Sequence, residues 1–182
     1  LYHDWFIRRE KKDVLTQLPA KQYRLVTLCG DGQVFQELVA RSEALNIEDV
    51  SHIPSSSIAA VAEVRHAIGI AKAPLVVEYV KDLLESGLEK VVVFAHHRGV
   101  VDVLLTKLNR YNPQCVVGGM SSAGKDKAVA KFQTDPDCRV IVCNLTAGGV
   151  GITLTAAHDV VFAEASYVPG ENEQAIDRVH RI

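Results

Sequence analysis

VIVCNLTAGGVGITLTAAHDVVFAE, residues 140–164, sets two short apolar runs on either side of a glycine-rich loop. Each run, 140–143 and 160–163, is too short for a helix and almost continuously apolar, the character of a strand buried on both faces. Two more runs of this kind lie at 91–95 and 115–117. Helix-spaced segments separate them: 99–109, with Val100, Val103, Leu104 and Lys107, and 125–133, with Ala128, Val129 and Phe132. The alternation predicts an α/β fold, a parallel sheet with helices on both faces and ligand-binding loops at the carboxyl ends of its strands. Those loops hold His96-His97-Arg98, Gly118-Gly119-Met120-Ser121, residues 144–151 and residues 164–170.

The first ninety or so residues differ in kind. Residues 1–15 have helical spacing and carry Arg8, Arg9, Lys11 and Lys12, and Pro19 breaks that pattern before a strand-like stretch at 22–29. Residues 31–45 read as a helix and 46–57, with Pro54 and a serine cluster, as a loop. Two helices are expected after it, 58–72 and 75–86, the second opening just after Pro74. No internal repeat or low-complexity tract interrupts the chain.

With 182 residues, 48% hydrophobic and 23% charged, the chain can bury one full core but hardly two. A net charge of −2 excludes a generally basic surface, so any nucleic-acid contact must come from local cationic patches. Cys29, Cys115, Cys138 and Cys143 form no CxxC pair and have no histidine at ligand spacing, which argues for free thiols, no metal site and an intracellular setting. No apolar run approaches the roughly 18–20 residues that span a bilayer. Leu1-Tyr2-His3-Asp4 is neither a signal peptide nor a start, and both ends read as cut from a longer polypeptide.

Residues 171–182 read as a helix with Gln174, Arg178 and Arg181 on one stripe and Ala175, Val179 and Ile182 on another. Two guanidiniums held in parallel suit phosphate oxygens, because each planar fork stays charged and bonds bidentately. The competing reading is a solvated helix with ordinary surface ion pairs. A second phosphate motif competes at Gly119 to Asp126, which fits GxxxxGK but sets a carboxylate where a magnesium-binding hydroxyl belongs. There, Gly119 and Gly124 can equally serve as turn residues. In the loop after residue 143, Gly148, Gly149 and Gly151 allow close approach of backbone amides to an anion, or simply a turn.

Taken together, IRREKKDVLTQLPAK, VVVFAHH, GGMSS with AVAKFQ, the 140–164 stretch and ENEQAIDRVHRI resemble, in order, the second RecA-like lobe of Snf2-family ATPases of helicase superfamily 2. His96-His97 after the strand and Pro169-Gly170 before the last helix are similar to the annealing-helicase-like branch. The resemblance implies that residues 1–28 lead into the lobe and residues 29–182 form it, with a helical segment at about 31–86. It implies that Arg178 and Arg181, with Gln174, act as arginine fingers on ATP held with Mg2+ mainly by a first RecA-like lobe. Gly149 and Gly151 would touch the nucleotide. Thr146, His96, His97, Arg98, Ser121 and Ser122 would contact the backbone of duplex or branched DNA, although His96 and His97 can also be read as loop-packing imidazoles.

The family pattern continues past Ile182 with Gly-Gln and includes a phosphate loop and acidic box outside these residues, so the isolated chain is expected to be inactive and monomeric. Its parent would act in a bacterial or phage-infected cytoplasm or in a nucleus, without membrane contact. Two departures bear on this carry-over: Lys125 replaces an arginine, losing the fork, and Tyr167 replaces a tryptophan, shrinking a stacking surface. Two alternatives remain, a non-catalytic RecA-like module that docks DNA or protein, and a self-contained NTPase using Gly119 to Asp126.

Overall fold

Four short runs pair as one parallel sheet, whose two inner strands, 91–95 and 140–144, are buried almost throughout. The computed structural model describes residues 17–30, 32–44, 57–145 and 151–181. In chain order these hold α1 (Gly32–Ala44), α2 (Ile58–Glu85), β1 (Val91–Ala95), α3 (Arg98–Lys107), β2 (Gln114–Val116), α4 (Ser122–Thr134), β3 (Val140–Asn144), β4 (Asp159–Phe162) and α5 (Pro169–Ile176). The sheet runs β2-β3-β1-β4. Register places Val93 opposite Val142 and Val161, with β1 at the centre of the most apolar part.

Alternation along β1 divides the core into two layers. Val91, Val93 and Ala95 meet Ala73, Val77, Val80 and Leu84 of α2 and Val101 and Leu104 of α3. Val92 and Phe94 face the other way, onto Phe132 of α4, Ala175 of α5, and Leu154 and Val179. Phe94 stacks on Phe162, ring centroids 5.4 Å apart. The expected architecture, a parallel sheet covered on both faces, is what the chain adopts. Among the described residues no helix is long and apolar enough to cross a membrane.

Three expectations are corrected. The two helices expected on either side of Pro74 are one, α2, with Pro74 inside it. Pro74 is exposed, while Ala73, Val76 and Val77 beside it are buried. Burial on both sides of the proline therefore outweighs the lost backbone hydrogen bond and the ring clash, which cost about 3 kcal/mol. The strand-like stretch 22–29 forms no strand: Leu25 is 97% exposed, and the segment is fastened by side chains of Lys21 and Tyr23 instead of a ladder. The last helix ends at Ile176, short of both arginines. The expected helix at 1–15, the loop at 46–57 apart from Ser57, and the residues Asp31, Leu45 and Ile182 lie outside the described residues.

Because Pro74 projects to solvent, Pro74→Ala should raise stability by about 1–3 kcal/mol through recovered helix propensity alone. Urea unfolding checks this, and a loss of stability would show that the proline shapes α2 for packing.

Candidate functional site

All four strands run the same way, so their carboxyl ends share one edge of the sheet, and the expected ligand loops start there. β1 leaves its last residue, Ala95, into His96 and His97, and His97 in extended conformation caps α3. Next door, β4 leads through Ala163 to Glu164, which is only 5% exposed. Its Oε2 accepts from the backbone N–H of both His96 and His97, each at 2.9 Å, and its Oε1 lies 2.6 Å from His97 Nδ1. Burial opposes the charge on Glu164, but the bonds from the His97 amide and ring and the His96 amide prevail and hold its carboxyl below the usual carboxylate range. From the other flank, Asn144 at the end of β3 donates to the His96 carbonyl at 2.6 Å. Three strand ends are thus tied into one rigid corner.

Helix α2 closes over that corner. A Cβ on Gly69 would come within 2.9 Å of the Glu164 carboxyl carbon, so the close approach needs glycine. The His66 ring lies 5.0 Å from that of His97, and His96 meets His97 edge-on at 4.9 Å. Arg65 donates to the Ala165 carbonyl and covers the Tyr167 ring at 4.2 Å. Burial, then the charges of Arg65 and His97, push the His96 pKa below its ordinary 6.5. The His96 Nδ1 is buried and unbonded. Arg98 is different: its side chain is 63% exposed at the start of α3, bonded to Asp102 at 3.2 Å.

The sequence reading placed Glu164 in a candidate loop without giving it a role, and missed His66, Arg65 and Gly69 as parts of this site. An acid closing the apolar run at 160–163 is visible in sequence, yet its partners stand 67 and 68 residues away. Only the parallel pairing of β1 with β4 brings them together.

The arginine-bearing segment is built differently from the helix expected. Pro169 opens α5, Gln174 lies exposed on it, and the helix stops at Ile176. The chain then tightens: Arg178 N–H reaches the Ala175 carbonyl at 3.1 Å and Val179 N–H the Ile176 carbonyl at 3.0 Å, three-residue spacings in place of four. This turn lets the Arg178 carbonyl accept from Leu154 N–H at 2.9 Å while Val179 stays 6% exposed in the core. Arg181 donates from Nε to the Asp177 carbonyl at 2.9 Å and from Nη1 to Thr153 Oγ1 at 3.0 Å. Gln174, Arg178 and Arg181 therefore do not form one helical stripe. The two arginines ride a turn sewn to the residues that leave the glycine-rich loop. Gly151, at φ 56°, begins that exit in the left-handed region. Thr146 and Gly149 lie outside the described residues.

Ser121 caps α4, its Oγ accepting from Gly124 N–H at 3.1 Å, and exposed Ser122 is the first residue of that helix. Gly119, at φ 82°, makes the preceding turn. Gly124 and Lys125 thus lie inside the first helical turn, with the Gly124 amide already bonded. This is a capped helix start; a phosphate cradle needs such amides turned toward its ligand.

Residues 75–182 match the helicase conserved C-terminal domain. The chain is 38% identical over 97% of its length to the SWI/SNF-related matrix-associated actin-dependent regulator of chromatin subfamily A-like protein 1 of Xenopus tropicalis, covering 19% of that protein. It is 35% identical over its whole length to DNA annealing helicase and endonuclease ZRANB3 of Homo sapiens, covering 17% of it. The Sulfolobus solfataricus SWI2/SNF2 ATPase core domain superposes on 96% of the chain with a TM-score of 0.69 at 21% identity, covering 41% of that structure. The last likeness establishes the fold, a RecA-like α/β lobe. With the family match across more than half of its residues and these two relatives, the chain belongs to the helicase conserved C-terminal domain family, as a C-terminal lobe of the Snf2 type.

Proposed function

We propose that this lobe is the arginine-finger and DNA-tracking half of a two-lobed, DNA-dependent ATPase that moves along duplex or branched DNA inside the cell, in chromatin remodelling or DNA repair. The observation that carries the reading is the turn after α5, which fastens Arg178 and Arg181 to Leu154 and Thr153 at the exit of the glycine-rich loop. Phosphoryl transfer needs positioning and charge stabilisation more than covalent help, and a guanidinium delivered across a cleft supplies both. ATP then sits mainly on the first lobe. Mg2+ is assigned with the nucleotide to that lobe, because this ion is held through one or two side-chain oxygens together with the phosphates it neutralises. Gln174, Gly149 and Gly151 complete this wall of the nucleotide cleft. Residues 1–28 lead into the lobe and 29–182 form it, and alone it hydrolyses nothing.

On the DNA side, His96, His97, Arg98, Ser121, Ser122 and Thr146 meet backbone phosphates. Such contacts position without reading sequence. Glu164 gives this reading its rigidity, since it holds the backbone amides of His96 and His97, the two residues that lead into Arg98.

One observation favours a second reading. The Arg181 guanidinium is already bonded to Thr153 and Asp177, as in a lobe that docks DNA or protein without catalysis. Turnover separates the two. In the two-lobed protein Arg181→Ala should cut DNA-stimulated ATP hydrolysis by about 10³-fold or more without unfolding it; unchanged turnover supports the docking module. Each phosphate contact removed, as in His97→Ala or Thr146→Ala, should lower the slope of log affinity against log salt by about 0.9, whereas an unchanged slope removes that residue from the DNA face. Glu164→Gln should destabilise by roughly 1–3 kcal/mol at pH 7, for the buried donor it leaves poorly paired. Because the folded-state carboxyl titrates low, its contribution is complete above the ordinary value of 4.5 and fades as pH falls through the folded value, so the difference in urea stability should shrink below about pH 4.5.

A further inference from the structure

Residues 19–23 cross the arginine-bearing segment as a strap. The Pro19 carbonyl lies 2.7 Å from His180 Nε2. Two residues on, Lys21 Nζ reaches Glu173 Oε2 at 2.8 Å and Asp177 Oδ1 at 3.0 Å. The Tyr23 hydroxyl donates to the other Glu173 oxygen at 2.9 Å. Between Pro19 and Leu25 little apolar surface is buried, Tyr23 being 66% and Leu25 97% exposed, and only further on does Leu28 pack against the core. These polar contacts hold it, and they all fall on α5 or the turn after it.

An isolated surface ion pair contributes about 0–1 kcal/mol, so a single pair here would mean little. A lysine shared by two carboxylates and flanked by a tyrosine and a histidine contact is a network, and its lysine side chain is only 22% exposed. Burial opposes the charge on Lys21, yet the bonds to Glu173 and Asp177 prevail and raise its pKa; Lys21, then Tyr23, lower that of Glu173. The contact stays charged across the neutral range. Its placement matters for Arg181. Asp177 and Arg181 stand four apart, a spacing at which carboxylate and guanidinium readily pair. Here the Asp177 carboxylate meets Lys21, and Arg181 turns to the Asp177 carbonyl and Thr153 instead.

We propose that Lys21 is a positioning residue for the arginine pair: by engaging Glu173 and Asp177 it sets the turn that carries Arg178 and Arg181 and links their placement to the chain segment entering the lobe. The inference rests on the function proposed above. A pull on the strap moves the turn and the guanidiniums it carries.

Lys21→Ala in the full-length protein tests it in two ways. Amide hydrogen exchange at residues 177–181 should quicken by at least about tenfold while the β1 and β3 amides stay unchanged. The kcat of DNA-stimulated ATP hydrolysis should fall by at least about tenfold with KM for ATP within about twofold, because misplaced catalytic groups cost rate more than ground-state binding. Lys21→Arg should keep both readouts near wild type, and the exchange Lys21→Glu with Glu173→Lys should recover much of what Lys21→Glu loses. Unchanged exchange together with unchanged kcat overturns the proposal. If Arg181→Ala itself leaves turnover intact, the catalytic reading fails instead, and the exchange measurement alone then decides whether Lys21 sets the turn.

Discussion

The Glu164 carboxylate is the constraint on which the working edge of this lobe depends. A buried carboxylate is costly unless its lone pairs are met, and here two backbone amides and an imidazole meet them. Those donors belong to the end of β1 while the acid belongs to the end of β4, so the bond pattern exists only when the two strands are in register. Satisfying one charge thereby fixes the direction in which the loop after β1 departs, and with it the start of α3. Gly69 shows how closely α2 is fitted over this point, since even a methyl group there would collide.

The second fixed point is the turn after α5. The Leu154 amide takes the Arg178 carbonyl, Arg181 spans to Thr153, and Val179 plugs the core between them. Residues 152–154, on the way into β4, and the arginine-bearing segment are therefore joined directly. In the function proposed above, this joint is what links the chain entering β4 to the placement of the guanidiniums.

The sheet was legible because its two inner strands are short, β-branched and buried on both faces. The three misread elements fail for separate physical reasons. Pro74 sits on the solvent side of α2, where core packing on both flanks overrides its usual punctuation. Residues 22–29 alternate like a strand, but the ends of Lys21 and Tyr23 find acceptors on α5 and no sheet edge takes the backbone. The helical stripe of Gln174, Arg178 and Arg181 is sound arithmetic for a helix that the Leu154 amide and the burial of Val179 end early. The candidate histidines were found from their place after a strand, whereas the acid that organises them stands far off in sequence and becomes meaningful only through topology.

The most direct measurement is a crystal structure of the two-lobed protein closed on ADP and a metal fluoride that mimics the transferring phosphoryl group. The account predicts that at least one of Arg178 and Arg181 comes within about 2.7–2.9 Å of a phosphate or fluoride atom. Both guanidiniums remaining on this lobe, with Arg181 still bonded to Thr153 and the Asp177 carbonyl, would contradict it.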